Sequence, residues 1–160
     1  MKNAFHLLYR PSLTGMTIDS LRQEHCDIVY QQYVSTGKNK VKNFLSHKGK
    51  VDVMSYISDV IQHHPTVCAF DAKSGEPLSW AGLLLDGGFG FMYTNEKHRG
   101  KGLQLMFLQL LAQRALNNGF KDVYGSIEPN NYGLKKQINQ YIIEVAKVVY
   151  GHYKPTVDHK

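Results

Sequence analysis

The sequence predicts an α/β (α+β) domain spanning residues 1–160, with a mixed central sheet and helices on both faces. Three observations predict it. Compact apolar runs at Thr66–Phe70, Leu78–Leu85 and Phe89–Thr94, parted by turn-forming residues, read as an antiparallel meander. A long apolar helix pattern from Leu103 to Leu116 follows. A strand-like run at Lys121–Ile127 then returns parallel to the third strand across that helix, as a βαβ unit. Two shorter patterns with apolar residues three and four apart lie upstream, at residues 20–34 and from Val53 to Ile61. A chain of 160 residues sits within the range of about 100–200 expected of one core. Hydrophobic residues at 42% against 20% charged ones supply that core and exclude global disorder.

Taken in order, Phe5, Leu7, Leu8 and Tyr9 form a short leading strand that ends at Arg10-Pro11, because proline pushes its neighbour out of the helical region. Met16–Ile18 reads as a second short strand. Leu21, His25, Ile28, Val29 and Tyr33 then recur at helical spacing, with Asp19 or Ser20 placed to cap, until Ser35-Thr36-Gly37. A basic connector follows, in which Lys38, Lys40, Lys42, Lys48 and Lys50 surround the apolar pair Phe44 and Leu45. The next helix is halted before Pro65. Lys73-Ser74-Gly75-Glu76-Pro77 closes the hairpin, and Asp86-Gly87-Gly88 makes a tight turn into the third strand. Gly102 opens the long helix, which is apolar nearly all round and so deeply buried, and Gly119 stops it in the left-handed conformation. Asn130–Asn139 reads as a short helix, and Tyr141–Tyr153 as one or two final strands.

Nineteen Lys and Arg against 13 Asp and Glu leave a net charge of +6, which favours an anionic partner. The two cysteines, Cys26 and Cys68, are too few for a disulfide scaffold and read as buried free thiols in a reducing cell. No apolar stretch approaches the roughly 20 residues that span a bilayer, so no membrane partner is expected. An intracellular protein is expected, cytoplasmic or mitochondrial. Lys2 and Arg10 without an acid in residues 1–18 resemble a transit peptide, although Ala4 to Tyr9 read equally well as a strand. His63-His64 does not make a metal pair, since adjacent helical positions point about 100° apart and no Cys/His set completes a coordination sphere. Nucleic-acid binding would rest on charge alone.

The stretch Met92-Tyr93-Thr94-Asn95-Glu96-Lys97-His98-Arg99-Gly100-Lys101-Gly102-Leu103 joins a strand to the buried helix. Two glycines allow a tight turn that exposes consecutive N–H groups. The helix dipole adds positive potential there, and Lys97, Arg99 and Lys101 add formal charge. Such a turn suits a phosphate or pyrophosphate. It is neither a P-loop nor the glycine fingerprint of a dinucleotide fold.

Strand, Arg-Gly-Lys-Gly-Leu, buried helix and parallel strand together resemble the acyl-CoA site of the GNAT N-acyltransferase superfamily. Its pattern is Arg or Gln, two residues, Gly, one residue, then Gly or Ala. Arg99 and Gly102 fit, while Gln104 replaces the small residue. Leu21, Pro65-Thr66-Val67-Cys68, Gly75-Glu76-Pro77-Leu78-Ser79-Trp80, Thr94, Arg99 and Gly119-Phe120 are similar to the C-terminal, catalytic half of glycine N-acyltransferases. The resemblance implies a GNAT-like fold in which acyl-CoA or acetyl-CoA is the co-substrate and no metal takes part. It implies that pantetheine lies between splayed parallel strands and pairs with Met92, Tyr93 and Thr94, and that the pyrophosphate sits on Arg99, Gly100, Lys101, Gly102 and Leu103. Asn131, or its neighbour Asn130, would contact the cofactor. The acceptor would be a small amine or amino acid, glycine among them, attacking the thioester directly.

The sequence departs from that family at two catalytic positions. The glutamate that serves relatives as a base falls on Gly88, and the usual acid tyrosine falls on Ile138. Asp86, two residues upstream, is the candidate base, or else simply the turn-former before Gly87. Glu96 and His98 are alternatives that lie in the phosphate turn, and Tyr132 and Tyr141 are nearby phenols. Trp80 reads as core, although the resemblance places it near the acceptor. The lysine connector would take the adenosine 3′-phosphate, an acidic acceptor or RNA, or stand as a solvated loop. The alternative to an enzyme is an acyl-CoA-binding or regulatory module that has lost its base.

Overall fold

A computed structural model describes residues 11–35, 53–84, 87–120 and 124–125. The expected leading strand, the lysine connector, the helix at 130–139 and the strands at 141–153 lie outside the described residues, as do Asp86, Asn130 and Asn131. Strands β1 (Met16–Asp19), β2 (Thr66–Asp71), β3 (Pro77–Leu83), β4 (Gly88–Thr94) and β5 (Tyr124–Gly125) form one sheet in the order β1-β2-β3-β4-β5. The first four are antiparallel neighbours, and β5 runs parallel to β4, pairing Gly88 with Tyr124 and Phe89 with Gly125. The mixed sheet read from the sequence is therefore present.

Helices cover both faces. On one, α1 (Cys26–Ser35) and α2 (Val53–His63) bring Val29, Ile57, Val60 and Ile61 against Cys68, Phe70, Trp80 and Phe91. On the other, α3 (Leu103–Asn117) lays Leu103, Met106, Phe107 and Leu111 over Val67, Ala69 and Ala81. Burial of β2 and β3 between these two cores is what makes their runs continuously apolar, since a strand buried on both faces has no solvent side. Leu116 departs from the expected all-round burial of α3, being 47% exposed near the helix end. Gly119, at φ +83°, is the predicted left-handed stop.

Two boundaries differ from the sequence reading. The β3–β4 turn begins at Leu84, whose N–H donates to the Gly88 carbonyl while Gly87 N–H donates back to Leu84. Neither Asp19 nor Ser20 caps the first helix. Asp19 Oδ1 accepts the N–H of Ser20, and the Leu21 N–H donates to Thr66 Oγ1 on β2, so the chain is held extended there. A single 3-10 turn, Gln23–His25, leads into α1 instead, with the Arg22 N–H donating to His25 Nδ1 at 2.9 Å. His25 thus does as an imidazole what Glu or Gln does in a capping box.

That role requires neutral His25. Burial holds its pKa below the ordinary 6.5, and the nearby Arg22 charge adds to the effect while the Glu24 and Asp19 carboxylates oppose it. The unfolded chain takes up the proton first, so stability is level above about pH 6.5 and falls as pH drops through it, with a slope bounded by about 1.4 kcal/mol per pH unit for one proton. Urea midpoints across this range should show that slope, and His25→Gln, which keeps the acceptor, should remove it. An identical slope in both proteins would refute the assignment.

Candidate functional site

The end of β4 and the start of α3 are joined by a turn built in three pieces. Asn95 Oδ1 accepts the Lys97 N–H at 3.2 Å and starts a single 3-10 turn over Glu96–His98. Arg99 then returns to extended backbone. Gly100 (φ +74°) and Gly102 (φ +76°) both adopt the left-handed conformation that costs other residues about 1–2 kcal/mol each. Gly102 has no side chain to cap α3, and the first bond of the helical ladder is Met106 N–H to the Gly102 carbonyl. The N–H groups of Leu103, Gln104 and Leu105 precede that ladder at the positive end of the helix dipole.

The side chains of this turn brace one another. Arg99 donates through Nε to the Thr94 carbonyl at 3.1 Å and through Nη1 to Glu96 Oε1 at 3.2 Å, while its side chain stays 49% exposed. Lys101 Nζ lies 3.2 Å from His98 Nδ1. Glu96 and His98, the alternative bases, therefore each face a cation of the same turn. Lys97, Arg99 and Lys101 are all exposed, so three positive charges stand around the uncapped helix start.

β4 is irregular midway along its length. Trp80 pairs with Tyr93 and Gly82 with Gly90, so Phe91 and Met92 together oppose Ala81 alone. Phe91 adopts φ +52°, a conformation that costs a bulky residue about 1–3 kcal/mol and is held here by burial of its ring at 3% exposure. The bulge resets the strand's alternation. Phe89 and Met92 both pack towards α3, whereas Phe91 and Tyr93 pack towards α1 and α2, where Tyr93 stacks on Trp80 at 4.5 Å. Among the described residues, β5 pairs only with Gly88 and Phe89, so the outer edge of β4 from Gly90 onward carries no strand.

Eight of the predicted site residues thus converge: Met92, Tyr93 and Thr94 on the bulged strand, and Arg99, Gly100, Lys101, Gly102 and Leu103 on the turn. Gly88 opens β4 and has no side chain to act as a base. Cys26 and Cys68 are buried free thiols, and burial pushes both pKa values up. No cluster of three or more His, Cys, Asp or Glu fit to hold a metal occurs among the described residues, and no described helix is long and apolar enough to cross a membrane. The 3-10 turn and the contacts of Gln104 escaped the sequence reading. Asn95 two residues before Lys97 is the signal for the first.

No family model and no curated protein sequence matches the chain. Solved structures do, at low identity. A Drosophila protein from structural genomics superposes with a TM-score of 0.65 at 15% identity over 80% of this chain, which spans only 39% of that protein's length. A ribosomal-protein-alanine N-acetyltransferase from Brucella melitensis matches with a TM-score of 0.57 and 14% identity over 87% of this chain and 96% of its own. A GNAT-family acetyltransferase from Staphylococcus aureus gives 0.57 and 12% over 78% and 81%. AAC(6′)-Iy, solved with the bisubstrate analogue CoA-S-monomethyl-acetylneamine, gives 0.56 and 14% over 87% and 97%. The fold is that of the GNAT acyltransferases.

Proposed function

We propose that the chain is an acyl-CoA N-acyltransferase, a single domain of 160 residues that moves the acyl group of acetyl-CoA or another acyl-CoA to the amine of a small acceptor, with glycine and other amino acids as candidates. One observation carries this reading. The uncapped start of α3, ringed by Lys97, Arg99 and Lys101, adjoins a bulged strand whose outer edge beyond Phe89 carries no strand among the described residues. The N–H groups of Leu103, Gln104 and Leu105 suit the pyrophosphate, and the edge of Met92–Thr94 suits the pantetheine amides. The GNAT fold of the neighbours, one of them solved with a CoA-linked analogue, supports the same assignment.

In the reaction the acceptor nitrogen forms a bond to the thioester carbonyl carbon, the carbon–sulfur bond breaks, the amine gives up a proton and the departing thiolate takes one. A strand N–H beside the Phe91 bulge would hold the developing oxyanion. Asp86 is proposed as the base and Asn131 as a further cofactor contact. An intracellular site, in the cytoplasm or mitochondrion, accords with the two free thiols. Gly88, without a carboxylate at the head of β4, favours a second reading, an acyl-CoA-binding module without turnover.

Incubation with acetyl-CoA and longer acyl-CoAs across a panel of amines and amino acids distinguishes the two. Free thiol released only when acceptor is present is expected. Saturable acyl-CoA binding with no acceptor-dependent thiol would leave the module.

A further inference from the structure

Gln104 stands where the GNAT pattern has glycine or alanine, and its side chain is engaged rather than displaced. Nε2 lies 2.8 Å from the Tyr93 carbonyl, 3.0 Å from the Trp80 carbonyl, 3.0 Å from Thr94 Oγ1 and 3.2 Å from Ser79 Oγ. The amide cannot be turned round, because that would set Oε1 against two carbonyl oxygens. Ser79, fully buried, donates to the Tyr93 carbonyl at 3.0 Å and sits 2.8 Å from Thr94 Oγ1. Gln104, Ser79 and Thr94 therefore form one polar network between α3, β3 and β4, in a layer otherwise filled by Leu103, Ala81 and Met106.

The network adjoins the irregular part of β4. Beyond Phe89 its outer edge carries no strand among the described residues, and its inner ladder to β3 is interrupted opposite Ala81. Tyr93 and Thr94 rejoin the β3 ladder only past that break, opposite Trp80 and Ser79. We infer that Gln104 is a positioning residue, which fixes the Tyr93–Thr94 end of β4 so that its edge is presented rigidly to the pantetheine arm. The inference rests on the acyl-CoA reading above. Methionine would fill the same volume as Gln104 but would donate nothing, so the function assigned to the side chain is its hydrogen bonding and not its bulk.

Titration of the full chain and of Gln104→Met and Gln104→Ala with CoA, and separately with adenosine 3′,5′-bisphosphate, tests this. CoA affinity should fall about tenfold in both variants, while affinity for the bisphosphate, which has no pantetheine arm, should change by less than about twofold. Amide hydrogen exchange in the absence of ligand should quicken at Tyr93 and Thr94 and stay unchanged in β2. Equal losses for the two ligands, or none for either, would overturn the positioning role alone. Failure of the unaltered chain to bind CoA would overturn the acyl-CoA reading and this role with it. If one variant does not fold, Thr94→Val, which removes one acceptor of the network, should show the same split between ligands to a smaller degree.

Discussion

Replacing Arg99 and Lys101 together by alanine should weaken CoA binding about 100-fold. Hydrogen bonds to charged groups contribute about 1.5–3 kcal/mol each and a tenfold change in affinity corresponds to about 1.4 kcal/mol, so two partly solvated cations account for a loss of this size. They act differently. Lys101 is an exposed point charge beside His98, whereas Arg99 is bound back to the Thr94 carbonyl and to Glu96. Arg99→Ala should therefore also loosen the turn, and Arg99→Lys should recover charge without recovering the brace. Raising the salt concentration should narrow the gap between the unaltered chain and the double variant, because screening weakens the same attraction. Calorimetric titration measures all of this, and an unchanged dissociation constant in the double variant would mean that the phosphate turn is elsewhere.

Trp80→Ala should cost about 3–5 kcal/mol of stability, the range for removing a large buried aromatic, out of a total of about 5–15 kcal/mol for a domain. Trp80 is fully buried at the centre of the sheet, packs in the core formed by α1 and α2, and stacks on Tyr93. Its indole N–H has no hydrogen-bond partner among the described residues, so part of the gain from burying the ring is offset by an unpaired donor. Trp80→Phe should for that reason cost much less than the lost area implies, near 1 kcal/mol. Urea unfolding gives both values from the shift in midpoint at constant slope. A loss under about 1 kcal/mol for Trp80→Ala would contradict the placement of this side chain in the core.

The parts of the fold that were legible in the sequence are those set by local pattern. The two apolar periods gave the meander and α3, Pro65 gave the end of α2, and Gly119 gave the end of α3. The parts that were not legible depend on contacts between distant segments. Asp19 and Ser20 are good caps by residue type, yet Thr66 on β2 takes the Leu21 N–H and moves the helix start to the far side of Arg22. The bulge at Phe91 carries no local mark, because the residue with positive φ is a phenylalanine held by its buried ring and not a glycine. At the site, the glycines and cations of the turn announced themselves. Gln104 was visible only as a departure from pattern, since the groups it bonds to, Ser79, Trp80, Tyr93 and Thr94, come from two strands 10 to 25 residues away.

The claim that one strand and one turn hold the two ends of a CoA thioester is tested most directly by following backbone amide resonances during titration with acetyl-CoA. Saturable shifts should concentrate at Leu103, Gln104 and Leu105 at the start of α3 and at Met92, Tyr93 and Thr94 on β4, with β1 and the far end of α3 unmoved. Absence of saturable binding, or shifts that saturate while both of these segments stay still, would contradict it.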